Sequence, residues 1–432
     1  MPTCPVTMSG RLGVWLILLG ALLNEWILGR VFSRDGILEP PTRLLIWTFD
    51  VLLVVFGIGL RVGGIRARAA VDRSACRRRT TIIMGCLVSA VTTLVLMACA
   101  EGVCWWLNHR PKPGVEMLST YHAILDTQHP ALGYRLMPGR TARVFVKVKG
   151  RTLFDAVYTT DAAGRRLTPS GPSRDAAGTL LFFGDSFTFG EGVSDDETMP
   201  FAVARLASQH HVYNYGVPGY GPQHVLAKLE DDAIVRELDV APPVIGVYTF
   251  IDGHVPRAVG TMRHYVSWMA DSPCYDLDAS ETAVVRTGSF RTAQPWRSRL
   301  YDFFGRSQVL QYFDFSWPFH FTRRDVSLTC RIIEAARDRF RALFDSDRFY
   351  VLFYPGSHYT ARIVAQLAAR GVRTLDYSSL IDWNDERYHV PYDGHPTAYT
   401  HRLIAAQLVS DLHLSMPAPP DGVNAPTNAP QQ

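Results

Sequence analysis

Two short stretches of the chain hold the three residue types that together activate a hydroxyl. Ser186 follows the apolar run Leu180-Leu-Phe-Phe183 through Gly184 and Asp185, and Asp393 and His395 lie two apart in Tyr392-Asp-Gly-His-Pro396. A serine hydroxyl is a weak nucleophile until a base removes its proton, and the base needs an acid to fix its tautomer. Residues two apart on an extended backbone point the same way. The Asp393 carboxylate can therefore hold one imidazole nitrogen of His395 while the other faces Ser186. The chemistry this implies is acyl transfer through a serine ester, with chain order Ser, Asp, His.

Such groups must be held at the ends of rigid elements. From residue 180, apolar runs of β type alternate with helical patterns. Strands are expected at 180–183, 211–215, 244–250, 349–353 and 372–375, and helices at 198–209, 222–236, 327–345, 358–370 and 397–413. The alternation requires a three-layer α/β/α domain, a parallel sheet covered on both faces, with its site at the carboxyl ends of the strands. Residues 254–326, with Trp268, Trp296, Arg297, Tyr301, Phe303 and Phe304, are too many for a connection. They read either as an inserted helical cap that shapes a cleft or as a surface elaboration packing its own aromatics. Residues 111–178 read as a β-rich lead-in, 179–414 as the catalytic domain, and 415–432, rich in Pro, Ala and Asn, as a disordered tail.

With these blocks in place the chain resembles the SGNH or GDSL hydrolases. Gly-Asp-Ser186 with Gly190 and Gly192 matches the first block of that family, Asn214-Tyr-Gly-Val-Pro-Gly219 the second, and Asp393-Gly-His395-Pro the last. The resemblance covers about residues 178–414 and implies a flavodoxin-like sheet. It also implies Ser186 as nucleophile, His395 as general base, Asp393 as its orienting partner, and the backbone N–H groups of Ser186 and Gly219 as oxyanion donors. One block departs. Where the family carries an oxyanion-binding asparagine, Thr249-Phe-Ile-Asp-Gly-His254 places Ile251, which cannot donate. His254 and Arg257 are the candidates to replace it. No cofactor is expected: His210, His211 and His224 have no metal-ligand spacing to a Cys or Glu, and no phosphate-binding glycine loop is present.

The first 110 residues differ in character. Three apolar runs, about 12–29, 44–60 and 81–107, are each near the ~20 residues that cross a bilayer as a helix, so three transmembrane helices are expected. Between the second and third runs stand Arg61, Arg66, Arg68, Arg73, Arg77, Arg78 and Arg79 against the single acid Asp72. The positive-inside rule makes this loop cytoplasmic and everything after residue 110 extracytoplasmic. With the resemblance, this places the catalytic domain in the periplasm of a bacterial inner membrane. Residues 1–110 hold 12 Lys+Arg and 6 Asp+Glu in a chain of net charge +4, which leaves the remainder near neutral and gives nucleic acid no basic stripe.

The partners so implied are the bilayer, an acylated carbohydrate or lipid substrate, and, for a transferase, a multi-span membrane acyltransferase. Glu25, Asp50 and Glu101 lie within or beside the apolar runs and read as structural pairs of nearby arginines or as a docking site for such a partner. Cys274 and Cys330, the two cysteines beyond the third run, form either a disulfide or two buried thiols.

Overall fold

The computed structural model describes residues 13–18, 20, 46–59, 75–110, 114–169, 171, 176–318, 320–357 and 359–414. The chain divides into two compact units, Met1–Leu107 and Asn108–Gln432. In the first unit, residues 13–18 and Ile46–Gly59 are helical. A Cβ on Gly57 would come 2.7 Å from the Gly13 carbonyl oxygen, so a small residue lets these two backbones approach. Helix α1, Ala75–His109, contains Leu87–His109, 23 residues of mean hydropathy 1.9.

That stretch is long and apolar enough to cross a membrane, and among the described residues it is the one helix of which this is true. The expectation of three spans is corrected accordingly. Ile46–Gly59 is helical over a shorter length, and the first run, with Glu25, lies mostly outside the described residues. Most of the arginine loop and the tail 415–432 also lie outside them.

The second unit opens with five antiparallel strands: β1 Val115–Ser119, β2 Leu125–His129, β3 Gly133–Leu136, β4 Thr141–Val148 and β5 Arg151–Thr159. They form one sheet of order β1-β4-β5 and a β2-β3 ribbon. Their core, with Ile124, Tyr134, Val144 and Tyr158, closes on Phe189, Val217 and Tyr220. These three flank the first two sequence blocks, so the lead-in braces the loops that carry the site.

The main sheet follows, with β6 Gly178–Gly184, short helix α2 Ser186–Phe189, α3 Met199–Leu206, β7 His210–Gly216, α4 Pro222–Glu230 and β8 Val244–Phe250. After the insertion come α7 Arg323–Phe344, β11 Phe349–Phe353, α8 Thr360–Ala368, β12 Arg373–Asp376 and α9 Ala398–Asp411. The five strands are parallel in the order β12-β11-β8-β6-β7. Every residue of β6 and β8 is buried, as expected of strands covered on both faces. Alternation along β6 sends Leu181 and Phe183 to the core shared with α4, α7 and α8, and Leu180 and Phe182 to the core shared with α3 and α9. The chain leaves β6 for β7 on one side and reaches β8 on the other. The crevice of such a sheet opens at this switch point, beyond the carboxyl ends of β6 and β8.

The insertion is not the purely helical cap that its aromatics suggest. It holds α5 His254–Val259, the hairpin β9 Pro273–Leu277 with β10 Val284–Ser289, and α6 Pro295–Phe304, around a small core of Met262, Tyr265, Met269, Cys274, Phe290 and Tyr301. Cys274 lies in this core and Cys330 in that of the sheet, both as buried free thiols. Of the two readings of the pair, the unbridged one holds.

Candidate active site

Ser186 is the first residue of α2, directly after the carboxyl end of β6. Asp185 caps that helix, its carboxylate accepting from the Phe187 N–H at 3.0 Å. The helix ends after one turn at Gly190, whose φ of +85° a Cβ-bearing residue rarely adopts. A hydroxyl at the head of a one-turn helix is thus fixed over the crevice.

His395 reaches the same point from the other side. The segment before α9 is tied by the Val390 N–H to the His395 carbonyl at 2.7 Å, and Thr397 caps α9. His395 Nε2 lies 2.9 Å from Ser186 Oγ, and Nδ1 is hydrogen-bonded to Asp393 Oδ1, which also accepts from the His395 N–H at 3.3 Å. A carboxylate can only accept, so Nδ1 carries the proton and Nε2 is free to accept from the serine. Ser186 is 5 % exposed.

The electrostatics follow from the neighbours. Burial pulls the His395 pKa down, but the Asp393 hydrogen bond and the charges of Glu191 and Asp393 outweigh it and hold it above the ordinary 6.5. Burial pushes the Asp393 carboxyl up, and the bond to His395 more than reverses this, leaving it below the usual range. Both shifts favour the ion pair that forms when His395 takes a proton.

The two expected oxyanion donors are backbone groups. Neither the Ser186 N–H nor the Gly219 N–H is engaged by another group among the described residues. Gly219 has φ +83°, and a Cβ there would run into the Tyr134 hydroxyl at 2.6 Å and Trp268 Nε1 at 2.7 Å. Close packing therefore demands the glycine. Trp268, from the insertion, donates to the Gly219 carbonyl at 3.3 Å, and Tyr134, from the lead-in, donates to the Pro218 carbonyl at 2.8 Å. In the same block, Asn214 donates to the Thr188 carbonyl at 3.0 Å and accepts from the Gly216 N–H at 2.9 Å, locking β7 to α2.

Neither candidate to replace the missing asparagine acts as a donor to the crevice. His254 is fully buried, with Nδ1 2.6 Å from the Tyr248 hydroxyl and Nε2 3.4 Å from Asp185. Arg257 donates Nη1 to Asp185 at 2.6 Å and to the Tyr220 carbonyl at 2.9 Å. Both hold the aspartate that precedes Ser186. Burial opposes the Asp185 charge, yet Arg257 and His254 keep its carboxyl far below the ordinary range. Ile251, just past β8, packs against the core shared with α3 and α9. The sequence alone does not fix their direction, because an arginine three positions along α5 can face either the crevice or the strand end, and here both side chains turn to Asp185.

Two further residues belong to the site. Glu191 Oε2 lies 3.6 Å from His395 Nε2, and burial together with Asp393 and Asp185 raises its carboxyl pKa against the pull of His395. Arg166, 1 % exposed, donates Nε to Asp195 at 2.7 Å and Nη2 to the Val157 and Val193 carbonyls, and stacks on Tyr158 and Phe189. It is a strut under residues 186–193. The Gly-Glu-Gly192 stretch marked the loop but not the contact of its glutamate, and the Arg165-Arg166 pair looks like ordinary surface charge.

No family model and no curated protein matches the sequence. Similar solved structures include a G-D-S-L family protein from Desulfitobacterium hafniense DCB-2, 13% identical, covering 54% of this chain and 98% of its own, with a TM-score of 0.31. The acetyl xylan esterase Est2A from Butyrivibrio proteoclasticus is 13% identical over 65% of this chain and 76% of its own, with a TM-score of 0.33. A carbohydrate esterase family 2 enzyme from Corynascus thermopiles (Myceliophthora fergusii) is 14% identical over 63% and 77%, with a TM-score of 0.29. At such scores the chemistry must be argued from the site itself.

Proposed function

We propose that the chain is a serine esterase of SGNH type, anchored in a bacterial inner membrane with its catalytic unit in the periplasm. It cleaves acyl esters, acetyl esters foremost, of a cell-envelope polysaccharide or glycolipid. The observation that carries the reading is the hydrogen-bonded series Ser186, His395, Asp393, assembled from two loops 209 positions apart. Ser186 Oγ attacks the ester carbonyl as its proton passes to His395 Nε2, and the oxyanion is received by the N–H groups of Ser186 and Gly219. The protonated imidazole then gives its proton to the departing alcohol oxygen, leaving an acyl-serine that water hydrolyses with His395 again as base. Helix α1 supplies the anchor.

Ile251 favours a second reading. A lost oxyanion donor typically costs about 10²–10³ in rate, which suits an O-acyltransferase completed by a multi-span membrane partner, its acyl-serine attacked by a sugar hydroxyl, or an inactive polysaccharide-binding module. The test is hydrolysis of p-nitrophenyl acetate and labelling by a fluorophosphonate, using the full chain in detergent beside Ser186→Ala. Turnover falling by at least about 10³-fold in the variant, with label lost, is the expected result. A folded chain with neither turnover nor label moves the reading to the binding module, and label without turnover moves it to transfer.

A further inference from the structure

Helix α6 of the insertion has two unlike faces. Ser298 and Tyr301 are buried, while Trp296, Leu300, Phe303 and Phe304 are 68, 45, 73 and 47 % exposed. At 100° per residue these four fall within one arc of about 100°, opposite the buried pair. Monomeric proteins seldom leave so large a continuous apolar stripe to water. Stripe residues of this kind, two of them Phe beside a Trp, are those that seat a helix in the head-group region of a bilayer.

Charge and connectivity say what covers it. Between residues 286 and 324 the chain has seven arginines and two aspartates. Arg286, Arg291 and Arg324 pair with Glu230, Asp271 and Asp276 outside this stretch, which leaves a smaller excess of positive charge beside α6. Arg299 and Arg306, beside the stripe, have no acidic partner among the described residues. Next to α6 a groove of about 570 Å³ is lined by Arg263, Arg291 and Arg306 with Asp302 and Asp314, and by Tyr265, whose buried hydroxyl has no hydrogen-bond partner among the described residues. Arg263 pairs with Asp314 and Arg291 with Asp271, which leaves Arg306 as the groove's unpaired cation among the described residues. The apolar helix ends at His109, and Asn108 donates to the Gln308 carbonyl at 3.2 Å and to its side-chain oxygen at 3.1 Å. Gln308 is four residues beyond Phe304. Asn108, the first residue of the second unit, is thus tied beside the end of α6.

We propose that the insertion rests on the bilayer that the apolar helix spans, with Trp296, Leu300, Phe303 and Phe304 among the acyl chains and the arginines on anionic head groups. The inference rests on the anchored reading above. It also gives the insertion a second task, since Trp268 of the same segment holds the Gly219 carbonyl. The oxyanion loop is then registered to the membrane surface, and the favoured substrate is an ester carried close to it.

The test places the photoreactive residue benzoylphenylalanine at position 296 or 303 of the full chain in nanodiscs of phosphatidylethanolamine and phosphatidylglycerol. Position 94, exposed on α1, and position 240, exposed at the amino end of the sheet, serve as references. Lipid adducts at 296 and 303 exceeding those at 240 by about tenfold are expected. Adducts at 94 but not at 296 or 303 overturn the docking and leave the anchor standing, as does a protein adduct at 303. Absence of adducts at 94 overturns the anchor itself.

Discussion

Glu191 shares His395 Nε2 with Ser186, its carboxylate 3.6 Å away, and its charge is one of the reasons the imidazole pKa is held above 6.5. A general base works only when neutral, so the acid limb of kcat/KM should have its midpoint above 6.5. Glu191→Gln removes an anion that favours the imidazolium; the midpoint should fall, and relative activity below pH 6.5 should rise. A pH profile of p-nitrophenyl acetate hydrolysis checks this, and a midpoint that does not move would mean Asp393 alone sets the base. The grouping of Ser186, Asp393 and His395 was legible in the sequence because the strand, the glycines and the Asp-Gly-His spacing are local. Glu191 was not, because its partner lies about 200 positions away and only the folded sheet brings them together.

At the scale of elements the lead-in and the insertion both grip the catalytic loops, which the division of the sequence into segments did not suggest. Arg166 shows how much depends on this. It pairs with Asp195 while bonding the carbonyls of Val157 and Val193, and its burial lowers the guanidinium pKa against that pairing. Arg166→Ala leaves Asp195 unpaired and a cavity beside Tyr158 and Phe189, and should cost about 3–5 kcal/mol. Arg135→Ala, which breaks the exposed pair with Asp126, should cost less than about 1 kcal/mol. Denaturant unfolding of the two variants in detergent separates them, and equal losses would contradict the strut. The five strands of the main sheet were legible because runs such as Val244-Ile-Gly-Val-Tyr-Thr-Phe250 are too apolar to face water. The hairpin Pro273–Leu277 with Val284–Ser289 was not, because its strands are short, the second is largely exposed, and its turn carries no strong signal among arginines and aromatics.

For the whole molecule the question is which side of the membrane each part occupies. The positive-inside rule works because arginine-rich loops are retained in the cytoplasm while nearly neutral domains are exported. Seven arginines and one aspartate between residues 61 and 79 are a strong retention signal, and the catalytic part carries no comparable cluster close to residue 110. A phosphatase reporter active only outside the cytoplasm should therefore be silent when fused after residue 70 and active when fused after residue 414. The opposite pattern would put Ser186 in the cytoplasm and remove the envelope glycan from consideration. Activity at both junctions would mean that the arginine loop is exported and that α1 does not cross. The result bears on chemistry as well as address. A periplasmic serine has no acyl-coenzyme A within reach, so a transferase there must take its acyl group from a partner that carries it across, whereas a hydrolase needs only water.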